Sequence, residues 1–436
     1  MHLATRILAL AAAFVATPAL AQPEIVSDSG DTAWVLIASA LVLLMTLPGL
    51  ALFYGGLVRS KNVLSVLMQC FVITCTVSLL WAVVGYSLVF DGDNPWLGGL
   101  NKAFLGGLDD LRDGLTIPES TFALFQMTFA IITPALVIGA FVERIRFGWV
   151  VAFSLLWTLF VYIPVAHWVW GGGWLATLGT ADFAGGIVVH TTAGVAALVL
   201  AKMLGPRKGF DKSMIPPHSP ALVMTGAGLL WVGWYGFNGG SALAASDDAS
   251  SAILNTHLAA CAAALVWIAI ERIKIGKSTS IGIVTGAVAG LATITPGAGV
   301  IASVGQVGPM GALILGVLAG LVCFYAVQIV KMRFKLDDSL DVFAVHGVGG
   351  MMGSILFPLF VLPVFGGSGF TEGVTLGGQL FAQAAGVGVT ALWTLVLTVS
   401  IAFIISYAIP MRVDEESEHD GLDLSSHGER GWDIDA

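Results

Sequence analysis

The sequence predicts an all-α integral membrane protein of eleven transmembrane helices, and three observations carry that class. Of 436 residues, 57% are hydrophobic and only 11% charged, with a mean hydropathy of +0.89, whereas roughly a quarter of a soluble domain is charged. The apolar residues come in blocks of about 20 rather than ten-residue alternating runs, the length at which a helix spans a bilayer with its backbone polar groups satisfied internally. A β-barrel is thereby excluded. The 54 glycines are spread through these blocks, which predicts helices meeting at backbone distance in one bundle. A formal charge of −9, gathered mainly in one long loop and the C-terminal tail, excludes a basic nucleic-acid binder.

Arg6, the apolar run from Ile7 to Val15 and the small-residue end Ala19-Leu20-Ala21 match a secretory signal peptide over residues 1–21, so the mature chain starts near Gln22. A further span is the alternative, disfavoured by the short run and Pro18. Eleven apolar blocks follow, near 33–54, 63–90, 122–142, 147–169, 184–204, 221–238, 251–270, 280–295, 309–330, 345–362 and 385–409. The loops after the odd-numbered blocks hold 2, 2, 3, 3 and 3 basic residues, and cytoplasmic loops accumulate Lys and Arg. The loop after the second block instead carries Asp91, Asp93, Asp109, Asp110, Asp113 and Glu119 against Lys102 and Arg112. This predicts an N-out, C-in chain: a transmembrane domain over 22–410 and a cytoplasmic tail over 411–436. That tail is acidic and polar without apolar periodicity, the pattern of a disordered segment. Cys70, Cys75, Cys261 and Cys323 lie in apolar blocks without metal-ligand pairing and read as packing residues.

A faint repeat links the fifth and tenth blocks. Asp182-Phe183 leads to Val189-His190, and Asp341-Val342-Phe343 leads to Val345-His346. Five spans apart, the two segments run in opposite directions, as in an inverted five-plus-five repeat with the eleventh helix outside it; chance recurrence in a Val- and Gly-rich chain is the alternative.

Ionisable residues inside spans are expensive and are functional candidates. His190 lies roughly 12 Å and His346 roughly 8 Å along their helices from opposite faces, at 1.5 Å per residue, so the pair can meet near the midplane. Two imidazoles there present both a donor and an acceptor to a small polar solute; two separate packing histidines are the alternative. His167 and His257 sit nearer the outer end of their blocks and read as interfacial or structural. Phe125 and Phe129 share a helical face, Trp170 ends the fourth block, and Trp234 and Phe237 precede Asn238-Gly239-Gly240-Ser241. Such rings hold a desolvated cation or anchor the helices at the interface. Asp182 caps a helix start or attracts cations. No P-loop, zinc motif, nucleophile elbow or dinucleotide fingerprint occurs, so neither an enzyme nor an energised pump is indicated, and no cofactor or metal.

The strings AWVLIASALVLLMTLPGLALFYGGLVRSKNVLS, GAFVERIRF, YIPVAHWVWGGGWLA, DFAGGIVVH, WYGFNGGSA, DVFAVHGVGG and GLDLSSHGE closely resemble the Amt/Mep/Rh family of ammonium transporters, in order and over nearly the whole chain. The resemblance implies a homotrimer in the inner membrane of the cell, serving nitrogen utilisation, with a pore through each subunit. It implies an outer ammonium site of Trp170, Phe125 and Ser241 with Asp182 as the carboxylate beside it, a gate of Phe129 and Phe237, and twin histidines His190 and His346 lining the pore. Ammonium then binds outside and loses its proton before ammonia crosses. Membrane lipid surrounds the bundle, and the tail resembles those that dock the PII signal protein GlnK. An ammonium sensor with little transport and a membrane cytochrome with His190 and His346 as axial haem ligands stand as alternatives.

Overall fold

Polar caps set where the helices begin. Asp28, Ser219, Ser246, Thr279 and Thr375 each precede an apolar run, and each side chain accepts a hydrogen bond from the backbone N–H three residues on, satisfying a donor the helix itself leaves orphaned. Gly276 closes one helix in the left-handed conformation at φ 76°, where a Cβ would be strained. The computed structural model describes residues 25–210 and 216–432; the signal-peptide expectation for 1–21 lies outside the described residues. The helices are α1 (Ser29–Leu57), α2 (Ser60–Phe90), α3 (Glu119–Ala140), α4 (Phe147–Thr177), α5 (Gly186–Leu204), α6 (Pro220–Trp234, running on as Tyr235–Gly239), α7 (Asp247–Ile275), α8 (Ser280–Gly297), α9 (Pro309–Arg333), α10 (Phe343–Phe360) and α11 (Leu376–Ala408). Ten of them, all but α6, are long and apolar enough to cross a membrane. A two-stranded hairpin, β1 (Val300–Ile301) and β2 (Gly305–Gln306), decorates the α8–α9 connection.

The connections gather on two faces. Residues 59–62, 143–146, 205–208 and 337–339 meet around Glu143, Arg207 and Asp337, on what we term the tail face. On the far face Trp174 N–H donates to Pro95 O, Phe183 N–H to Pro296 O and Ala245 N–H to Asp31. Between the faces, small residues bring backbones together as the glycine content predicts. A Cβ added at Gly290 or at Gly316 would lie 2.4 Å from the Ala259 carbonyl oxygen, so α7, α8 and α9 pack with no room for a side chain at those crossings. Cys70 and Cys323 are buried packing residues as expected, but Cys75 is exposed and Cys261 half-buried.

The tail departs from the expectation of disorder. It folds as α12 (Glu415–Asp420) and α13 (Leu422–His427) against the tail face. Its acidity is matched by donors from within and from a distant loop, Glu418 accepting from the tail's own Arg412 Nη2 at 2.8 Å and from Lys208 N at 2.8 Å, and its Leu422 N–H donates to Asn62 Oδ1. Asn62 precedes the regular part of α2 yet makes no side-chain cap there; Asp423 supplies it, accepting from Ser65 N–H at 2.8 Å while nearly fully buried. A tail residue thus closes a helix start some 360 residues earlier. Asp423→Ala is expected to remove about 1 kcal/mol of this docking and to speed limited proteolysis within 409–432, whereas equal cleavage rates would show that the cap does not hold the tail.

Candidate functional site

Two carboxylates organise the centre of the bundle. Before α5, Asp182 accepts from the N–H groups of Gly185, Gly186, Ile187 and Val188 at 2.9, 2.7, 2.7 and 3.0 Å. Before α10, Asp338 accepts from Val342 and Phe343 at 3.1 and 2.7 Å. His190 and His346 each follow their carboxylate by eight residues, and each sits in a π-helical turn, Gly186–Thr191 and Phe343–Gly347, a local widening frequent at functional sites. The counterpart of Asp182 is therefore Asp338, not Asp341 as the Asp182-Phe183 and Asp341-Val342-Phe343 strings suggest. Asp341 stands at φ 63° and pairs with Lys331 at 2.7 Å. Four residues past each histidine comes a glycine. A Cβ at Gly194 would lie 2.2 Å from Gly347 Cα, and one at Gly350 would lie 2.5 Å from His190 Cβ, so backbone contact sets how closely the histidine-bearing helices cross.

The spacing argument for a histidine pair agrees with the geometry. The His190 and His346 rings lie 5.2 Å apart at 29°, and His190 stacks on Trp234 at 5.5 Å. Neither nitrogen of His190 has a hydrogen-bond partner, nor has Nδ1 of His346. By contrast His167 is pinned to Val89 O and Asn94 O, and His257 to the Tyr235 hydroxyl, the structural roles expected of them. Both unpartnered rings border a neck of about 10 Å³ that Leu50, Ile132, Val288 and Phe237 also line. A buried polar atom without a partner costs about 1–3 kcal/mol, so these nitrogens favour a solute that can both donate and accept. The macrocycle of a haem does not fit between stacked rings in so small a space, and the cytochrome alternative falls on that ground.

The neck separates two cavities. The far-face cavity, about 270 Å³, is lined by Trp170, Ser241, Phe129, Phe183 and Gln126 among others. Its floor is aromatic: Phe129 meets Trp170 edge-on at 5.7 Å and Phe237 at 4.3 Å, while Phe125, predicted as a binding residue, does not line the cavity but packs behind Phe129 at 5.0 Å. Ser241 Oγ donates to Phe237 O at 2.8 Å, which leaves its lone pairs for a donor in the cavity. Asp182 does not line this cavity; its carboxylate is spent on four backbone N–H groups, while its carbonyl oxygen accepts from Trp170 Nε1 at 2.8 Å and so orients that ring. Sequence reasoning missed Gln126, whose Oε1 is buried without a partner; a lone amide between Phe125 and Phe129 was the available signal. It also left out Thr295, which accepts from Trp234 Nε1 at 2.9 Å and fixes the ring under His190.

The tail-face cavity, about 320 Å³, reaches from His346 to Lys331, Asp341 and Arg207. Arg207 grips Asp337 with Nε and Nη2, both at 2.9 Å, and reaches Glu143 at 3.2 Å. Burial alone would raise both acids, but Arg207 with Arg59 on Glu143, and Arg207 with Arg144 on Asp337, outweighs it and holds each below its usual range. Burial lowers Arg144 to about 10. Asp338, with burial and the nearby Asp341 acting against its charge, is raised to about 7.

Comparison with known proteins follows this architecture closely. A family model described as the Ammonium Transporter Family matches residues 33–432. The chain is 45% identical over 409 residues to an ammonium transporter of Bacillus subtilis, covering 92% of this chain and 98% of that protein. It is likewise 45% identical over 415 residues to one of Aquifex aeolicus, covering 93% and 94%. Among solved structures it is similar to a protein titled Sensor Amt Protein, with a TM-score of 0.84, 30% identity and coverage of 91% and 98%. It is also similar to Candida albicans Mep2, with a TM-score of 0.80, 34% identity and coverage of 90% and 88%.

Proposed function

Since the chain belongs to the ammonium transporter family, we propose that it passes ammonium through the neck between its two cavities, binding the cation and conducting ammonia. The observation that carries this is the pair of stacked imidazoles with three unpartnered nitrogens in an otherwise apolar constriction. A bare cation in such a neck is costly, and ammonium and potassium are alike in charge and size, so a filter by size does not separate them. Ammonium alone can leave its proton behind. In this reading Trp170 and Ser241, with Gln126, hold ammonium in the far-face cavity, Phe125 backs Phe129, and Asp182 acts as a positioning residue through Trp170 and the start of α5. Phe129 and Phe237 close the floor, and His190 and His346 line the passage beyond.

The far face is then the outside and the tail face the cytoplasm, with eleven spans in the inner membrane, an inverted five-plus-five repeat and three copies around lipid-sealed contacts. The matching eight-residue offsets support the repeat, and the basic loops on the tail face support the orientation. The docked tail offers the surface on which the PII protein GlnK would sit over the inner mouth. Solid-supported-membrane recording on proteoliposomes tests the function: an ammonium jump is expected to give a current or an internal alkalinisation that an equal potassium jump does not. Equal responses to both ions would refute it. The likeness to a protein titled Sensor Amt Protein supports a second reading, sensing with little transport, which ammonium binding without either signal would favour.

A further inference from the structure

The far-face cavity contains a resident cation. The Arg112 guanidinium carbon lies 5.0 Å from the Phe122 ring centre and 5.5 Å from that of Phe90, and its Nη1 donates to Glu119 Oε1 at 3.1 Å. The same carboxylate oxygen accepts from the Tyr86 hydroxyl at 2.6 Å and from Lys102 Nζ. Two cations thus share one carboxylate, and the guanidinium is held in place from three sides. Arg112 and Asp113 both line the cavity, with opposite charge, together with Trp170 and Ser241. Arg112 already covers the two aromatic faces, Phe90 and Phe122, on which a free cation would otherwise rest. Of the rings lining the cavity, an incoming cation is left with Trp170, Phe129 and Phe183.

We propose that Arg112 and Asp113 form an opposed charge pair that sets how strongly this cavity concentrates ammonium, Arg112 weakening and Asp113 strengthening its capture. The inference rests on the reading of this cavity as the entry for ammonium. Charges lining a concave, low-dielectric mouth shift the local concentration of a mobile ion. With the water-like screening of an open vestibule, one unit charge is worth about a two- to fourfold change in cation occupancy, and less as salt rises. The guanidinium is also a steric plug over two rings, so a charge-keeping replacement separates the two roles.

The test is the ammonium concentration giving half-maximal response in proteoliposomes. Arg112→Gln is expected to lower it about two- to fourfold and Asp113→Asn to raise it by a similar factor, both differences shrinking at high sodium chloride. Arg112→Lys keeps the charge and is expected to stay at the parent value. An unchanged or raised half-saturation in Arg112→Gln overturns the proposal, as does Arg112→Lys behaving like Arg112→Gln. Asp113→Asn leaves the Arg112–Glu119–Lys102 contacts intact and supplies the answer if the arginine variants do not fold. A parent protein with no ammonium response retires the transport reading and this one with it; a responding parent with unmoved variants retires only the charge pair.

Discussion

Replacing both His190 and His346 by alanine is expected to cost the neck its preference for ammonium over potassium by at least about tenfold, which corresponds to about 1.4 kcal/mol. The two rings close the constriction and carry its only unpartnered polar atoms among the described residues lining it. Alanine removes the groups that can take a proton or a hydrogen bond from an N–H solute. It also opens space in which water can accompany a cation, and a hydrated potassium ion no longer meets the penalty of a dry neck. His346→Ala alone, at the border of the neck and the tail-face cavity, is expected to act more weakly than His190→Ala, because His190 is the ring stacked on Trp234, on Phe237 and on its partner. Current ratios for ammonium and potassium jumps decide the matter. A double variant with parental selectivity would remove the histidines from the mechanism.

Arg207→Met is expected to be the most destabilising change on the tail face, at about 3–5 kcal/mol. The side chains of Glu143 and Asp337 are fully buried and Arg207 is nearly so, so the substitution strands Asp337 without its bidentate partner and leaves Glu143 with Arg59 as its one cation beside the neutral Asn62 amide. Both acids have folded-state pKa values below their unfolded ones. Their contribution is therefore present above the ordinary carboxylate range near pH 4 and is lost as pH falls through the lower, folded values. The apparent melting temperature in detergent should drop steeply for the parent at acid pH, and the variant should start lower and show a shallower acid slope. Equal melting temperatures at pH 7 would mean that the network contributes nothing net.

Much of this was legible in the chain. Helices such as α2 and α11 announce themselves by apolar length, and three of the five basic loops, at 59–62, 143–146 and 205–208, meet on one face. The imidazoles stood out because a titratable side chain inside an apolar block has few bland explanations. What the sequence hid was of a different kind. Asp338 was passed over because Asp341 stands next to the Val342-Phe343 string, and only the backbone shows which carboxylate faces the helix start. The π turns around His190 and His346 leave no mark on hydrophobic periodicity. The tail read as solvated because its partners, Asn62, Ser65 and Lys208, lie hundreds of residues upstream, and composition counts charges without knowing what they will meet.

The carboxylate, the imidazole eight residues later and the glycine four beyond it occur once starting from each face. The two half-copies share this spacing but differ in detail, for Asp182 holds four N–H groups against two for Asp338, and His190 alone stacks on Trp234 and Phe237. On the transport reading proposed above, a neck entered from either side by a carboxylate-led helix admits passage in both directions, so reversing the gradient is expected to reverse the traffic. On the same reading, capture and closure are set at two unlike mouths, one lined by aromatic rings with the Arg112–Asp113 charges and one by Lys331, Asp341 and Arg207, each open to change without disturbing the neck between them.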